Sequence, residues 1–139
     1  MKSTIVVLVL VLMNIIFSSF LPFSGKQNTP RASIERGKKV YERTCLPCHQ
    51  ANGSGVPGMT PPLKKTDYVL GDKKVLIGIL QNGLDDEISI NGKFFNNPMP
   101  AQSALKDEEM ADVLTYVRNS FGNSADPVTV AEVKMWRKK

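Results

Sequence analysis

All the thiol and imidazole chemistry of this chain lies in five consecutive residues, Cys45-Leu46-Pro47-Cys48-His49. The 139 residues hold two cysteines and one histidine, and all three are here. The flanks make this the strongest constraint on the fold. Before it, Ile34 to Thr44 reads as a helix with Ser33 as its N-cap. After it comes "QANGSGVPGMTPPL", too rich in Gly and Pro for a helix or a central strand. The five residues therefore stand where a helix hands over to a long loop. From Ser33 onward the chain has only about 100 residues, and so short a domain buries a limited share of its surface. A cross-link or a bound group is expected to add to its core.

The N-terminus is set apart. Lys2 precedes an uncharged, mainly apolar stretch over residues 5–23. A basic residue followed by an apolar run is the pattern of a secretory signal. Phe17-Ser18-Ser19 and Phe23-Ser24-Gly25 both put a bulky residue where a small one usually precedes cleavage. About 20 apolar residues also span a bilayer. Residues 1–25 thus read as a signal peptide or as an uncleaved membrane anchor, with residues 5–23 as the tether. Both readings export the remainder, to the periplasm or the extracytoplasmic face of a membrane. Residues 26–32, "KQNTPRA", read as a polar linker. The net charge of +5 does not point to nucleic acid, because the basic residues are scattered and not interleaved with aromatics.

The rest of the chain predicts a mostly α domain over 33–123 and a tail over 124–139. Asp72 caps "KKVLIGILQN", with Val75, Leu76, Ile79 and Leu80 on one face and Gly83 as the stop. In "EISINGKFF", Asn91-Gly92 between two short strand-like runs signals a tight hairpin. "NNPMPAQSAL" is a proline-punctuated loop. Asp107 to Ser120 is the clearest helix: Met110, Val113, Leu114 and Val117 share a face, acids fill the first turn, and Gly122 follows. In the tail, Thr129 with Glu132 fits a capping box and predicts a short terminal helix.

Three chemistries use a C-x-x-C-H segment. A structural zinc site needs four ligands, and Cys and His supply three in all. A thiol–disulfide centre needs its cysteine pair to open a helix after a strand, whereas this pair follows a helix and precedes a loop. Covalent attachment of a c-type haem explains more. Two thiols one helical turn apart can add to two vinyl groups, and His49 then meets the iron from the same side. A second axial ligand would come from methionine. Met1 and Met13 lie in the leader and Met135 in the tail. Met59 is ten residues past His49, and Met110 is on an apolar helix face where packing explains it. Met99 stands between Pro98 and Pro100, which stiffen its loop. The competing reading of Met99 is a residue that merely fills a gap.

Taken together, CLPCH, a Gly/Pro loop ending in "TPPL", then "PMPA" and "EEMADVLTYVRNSFG", in this order over about Ser33 to Asn123, resemble a class I cytochrome c. The resemblance implies one covalent haem c, with Cys45 and Cys48 as the thioether residues, His49 as the proximal ligand and Met99 as the distal one. It implies that Pro61 offers its carbonyl to the His49 imidazole, and that Gly37 and Tyr41 on the first helix cross the last helix at Leu114 and Val117. The fold implied is the class I cytochrome c fold with one β-hairpin inserted before the Met-ligand loop and a short C-terminal helix. The hairpin and the tail are similar to single-haem modules found beside bacterial respiratory and dehydrogenase systems.

The function implied is one-electron transfer between respiratory or dehydrogenase partner proteins, with no enzyme activity of its own, as a monomer or as a subunit of a complex. The alternatives are a haem subunit of a larger dehydrogenase or oxidase, a thiol oxidoreductase, and a sensor or peroxidase in which Met99 leaves the iron. Lys64, Lys65, Lys73, Lys74 and Lys93 fall between the two ligands and read either as a ring around the haem edge or as solvated surface.

Overall fold

The computed structural model describes residues 29–137. The leader expected over 1–25 and the start of the linker lie outside them. Among the described residues no helix is long and apolar enough to cross a membrane. The elements in chain order are α1 (Pro30–Thr44), α2 (Leu46–His49), α3 (Asp67–Leu70), α4 (Lys73–Asn82), β1 (Ile88–Ile90), β2 (Lys93–Phe95), α5 (Asp107–Arg118) and α6 (Val130–Trp136). The domain is mostly helical with one antiparallel hairpin and a terminal helix, as the sequence predicts.

Local chemistry sets most boundaries. Asp72 accepts from the Lys74 N–H to open α4, and Gly83 closes it. Thr129 and Glu132 form the reciprocal cap of α6. The strands pair Ile88 with Phe95 and Ile90 with Lys93. Asn91 and Gly92 make the turn at φ 51° and 75°, the left-handed pair that matches the strand twist. One boundary differs. α1 begins at Pro30, capped by Thr29, so residues 30–32 are helical and not linker. The Ser33 hydroxyl, expected to cap, donates to Asp112 Oδ1 at 2.6 Å. α2 is the helical turn that carries the CLPCH thiols, whereas the single turn α3 was not expected; Thr66 caps α3 through the Val69 N–H.

The core forms where α1 packs along α5, with α4 and α6 against α5. Met110, Val113, Leu114 and Val117 are buried on α5 as expected, each worth roughly 1.5–3 kcal/mol on leaving water. On α4 the buried side is Leu76, Ile77 and Leu80, whereas Val75 is 47% exposed. "VLIGIL" is apolar all round, so its pattern alone does not choose the inward face.

The crossing of α1 and α5 also differs in detail from the implied pairing. Gly37 abuts Asp112 and Tyr116 most closely: a β-carbon on Gly37 would stand 2.0 Å from the Asp112 carbonyl oxygen. Residues 112 and 116 are one helical turn apart, so they share a face. Leu114 and Val117 lie on the neighbouring face and line an internal cavity. Beside the crossing, the Arg36 guanidinium grips both Asp112 carboxylate oxygens, at 2.6 and 2.8 Å. One turn along α1, Tyr41 packs against Tyr116 and Phe121, with ring centroids 5.3 Å away in each case.

Side chains then tie the tail and loops to this frame. Thr115 both donates to and accepts from the backbone of Val128. The buried Arg118 guanidinium donates to the carbonyls of Val69, Gly71 and Asp126. Asn123 accepts from the Lys65 N–H and donates to the carbonyls of Leu63 and Val117.

Candidate cofactor site

His49 ends the turn α2 and is buried. Its Nδ1 lies 3.3 Å from the Pro61 carbonyl oxygen. A carbonyl only accepts, so Nδ1 carries the proton and Nε2 keeps its lone pair. Burial pulls the imidazole below its ordinary range, while the bond to Pro61 works the other way. The result is a neutral ring whose Nε2 lone pair is free, as a metal ligand needs.

The loop after His49 is folded so that Pro61 can return. The Gly55 N–H donates to the His49 carbonyl, and the Leu63 N–H to the Gly53 carbonyl. Gly55 has φ 65°, and a β-carbon there would meet the Thr60 oxygen at 2.1 Å and the Pro61 oxygen at 2.6 Å. Only glycine lets the two strands of this loop pass so closely. Tyr41 donates its hydroxyl to the Gln50 carbonyl at 2.6 Å, which anchors the residue after the histidine. Burial pushes that phenol above its ordinary range.

Met99 reaches the same place from the far side of the chain. Its N–H donates to the Leu84 carbonyl at 2.8 Å and its carbonyl accepts from the Leu84 N–H at 2.9 Å. The Gln102 N–H donates to the Leu80 carbonyl. Gly83, expected only as a helix stop, has φ 79°, and a β-carbon there would stand 2.6 Å from the Met99 carbonyl oxygen. The loop is held by this two-bond bridge as well as by its flanking prolines. Nothing in the local sequence announces the bridge, because Leu84 and Met99 are separated by the whole hairpin.

His49, Met99 and Cys45 all line one cavity, together with Pro61 and apolar side chains such as Leu76, Leu80, Val113 and Leu114. Cys48 is exposed and lines an adjoining cleft that also touches His49 and Met99. The Cys45 thiol is pushed up by burial, with the Thr44 hydroxyl 3.4 Å away. Nitrogen and soft sulfur donors around an apolar space suit a haem iron, so the residues present fit that group. Among the described residues the other methionines are elsewhere: Met110 is fully buried among the helices, whereas Met59 and Met135 are 55% and 73% exposed. Of the lysines between His49 and Met99, Lys73 pairs with Glu132 on α6 at 2.9 Å.

Comparisons with known proteins identify the family. The cytochrome c family profile matches residues 34–121. Cytochrome c-552 of Thermus thermophilus is 38% identical over 112 residues, covering 74% of this chain and 85% of that protein. The cytochrome c subunit of alcohol dehydrogenase (quinone) from Gluconobacter oxydans is 35% identical over 104 residues, covering 68% of this chain and 20% of that subunit. The Cbb3-type cytochrome c oxidase subunit CcoP of Azospirillum brasilense is 34% identical over 105 residues, covering 70% of this chain and 32% of that one. On the family match, the helical fold with its hairpin and the cavity that His49 and Met99 share, the chain belongs to the cytochrome c family, as a class I single-haem member whose cofactor is covalently bound haem c.

Proposed function

We propose that this chain is a one-electron carrier of the extracytoplasmic space, working between respiratory or dehydrogenase partner proteins. In this reading Cys45 and Cys48 would hold the haem through two thioether links. His49 Nε2 and Met99 Sδ would hold its iron. The haem iron supplies the Fe(III)/Fe(II) couple. The chain's part is to hold and tune it. The Pro61 carbonyl fixes the imidazole and makes it a stronger donor. The Leu84 bridge holds the backbone of Met99, and a thioether ligand favours the reduced iron. Apolar walls from α4 and α5 exclude water. With its iron held by two protein side chains, the haem would offer small substrates no place to bind, which supports electron transfer without an enzyme activity.

The observation that carries the reading is that His49, braced by Pro61, and Met99, braced by Leu84, line one apolar cavity with Cys45. The match to cytochrome c-552 over most of both chains supports a self-standing carrier. The matches to parts of dehydrogenase and oxidase subunits support the second reading, a haem subunit within such a complex. The weak sulfur-to-iron band in the near-red tests the ligation. Met99→Ala is expected to keep covalent haem, lose this band and fall in potential. Met59→Ala and Met110→Ala are expected to keep it. A band that survives in Met99→Ala refutes the axial assignment, and a wild type without it favours the sensor or peroxidase. Mature protein recovered in the cytoplasm would refute export.

A further inference from the structure

The end of α6 reaches back to the segment that follows Met99. Arg137 is the C-cap of that helix, and its guanidinium gathers acceptors from three other parts of the chain. Nε donates to Gln81 Oε1 on α4 at 2.7 Å. Nη1 donates to the Leu105 carbonyl at 2.7 Å and to the Asp107 carboxylate at 2.8 Å. Nη2 donates to the Ser103 carbonyl. The side chain is only 17% exposed. Ser103 and Leu105 stand four and six residues after Met99, and Leu105 is buried and lines the cavity.

We propose that Arg137 is a positioning residue for Met99, clamping the segment downstream of the methionine loop to α4 and α5. The inference rests on the axial role given to Met99 above. Upstream, the loop is held by the Leu84 bridge, and in its middle by the bond from Gln102 to Leu80. Arg137 is the downstream fastener. The contacts to Ser103 and Leu105 restrict how far the stretch after Met99 can move, and so how readily the methionine can leave the cavity. Two of the four acceptors are backbone carbonyls of that stretch, so the residue does more than finish a helix. A planar fork with several fixed donors can meet four convergent acceptors, which an ammonium on a flexible stem does not reproduce. The C-terminal helix is in this way coupled to a ligand loop more than 30 residues earlier in the sequence.

The test uses the ferric holoproteins of wild type, Arg137→Gln, Arg137→Lys and the core variant Val40→Ala. Each is titrated with imidazole, which competes for the methionine's position, and followed by loss of the near-red band; thermal midpoints are recorded beside it. Arg137→Gln is expected to bind imidazole about tenfold more tightly than wild type, a change of about 1.4 kcal/mol, with Arg137→Lys in between. Val40→Ala is expected to lower the midpoint yet bind imidazole as wild type does. An unchanged imidazole affinity in Arg137→Gln overturns the clamp, as does an equal rise in Val40→Ala, which would make the effect one of general stability. A wild type that has the near-red band while Arg137→Gln shows no effect overturns this inference alone. A wild type without the band overturns the Met99 ligation and the clamp together.

Discussion

Gly37→Ala and Gly78→Ala form a paired experiment on two glycines that both lie inside helices. In an exposed helix each replacement would stabilise by about 1 kcal/mol, because alanine costs less backbone entropy. A β-carbon at Gly78 meets nothing within 4 Å, whereas one at Gly37 meets the Asp112 carbonyl oxygen at 2.0 Å and Tyr116 Cβ at 2.7 Å. Ordinary contact begins near 3.4 Å, so α1 and α5 would have to part by about 1.4 Å (3.4 − 2.0). Both close neighbours are backbone or Cβ, and no rotamer change relieves them. Overpacking of this kind costs roughly 1–3 kcal/mol. The same movement stretches the bonds from Ser33 and Arg36 to Asp112, now at 2.6–2.8 Å, and a hydrogen bond to a charged group is worth about 1.5–3 kcal/mol. Allowing for the helix-propensity gain and for the partial exposure of Arg36, the net loss is about 2–4 kcal/mol. For a domain of about 100 residues that lowers the thermal midpoint by roughly 8–16 °C. Guanidinium chloride unfolding of the holoproteins, followed by far-ultraviolet circular dichroism, measures both variants. Gly78→Ala is expected to match wild type or gain up to about 1 kcal/mol. If Gly37→Ala costs no more than Gly78→Ala, the close helix crossing is wrong.

Two further outcomes follow from the same structure. Glu109 is held below its ordinary carboxylate range, first by the Lys106 N–H and then by the Arg43 guanidinium. A carboxylate lowered in the folded state contributes stability that is present above about pH 4.3 and is lost as pH falls through the folded value; Glu109→Gln should therefore flatten the acid side of the stability curve, and parallel curves down to pH 3 would refute this. Cys45→Ala with Cys48→Ala is expected to leave a poorly folded chain, because the apolar cavity lined by Leu76, Leu80, Val113 and Leu114 would lose its covalent cofactor and a domain this short has little other core to offset the loss. A cooperative thermal transition in that double variant near the holoprotein's would count against it.

What the sequence determined by itself is the set of features that depend on neighbours a few residues away. α4 between Asp72 and Gly83, the Asn91-Gly92 hairpin, the apolar face of α5 and the Thr129–Glu132 cap are each written in under fifteen residues, because caps, turns and periodicity act over one or two turns of chain. CLPCH belongs with them, since thiols and imidazole must be close together to act on one group. Only the tertiary structure decided the features whose partners lie far along the chain. Thr29 and Ser33 are both good caps, and the choice fell to Asp112, which takes the Ser33 hydroxyl from 79 residues away. Val75 and Ile77 are equally apolar, and packing among helices turned Ile77 inward. Prolines suggested a stiff loop around Met99, but the bonds that hold its backbone come from Leu84 across the hairpin, and Arg137 fastens the segment beyond it from the end of α6. A contact between distant residues leaves no periodic trace in either stretch of sequence, because its energy is set by where the folded chain brings two surfaces together.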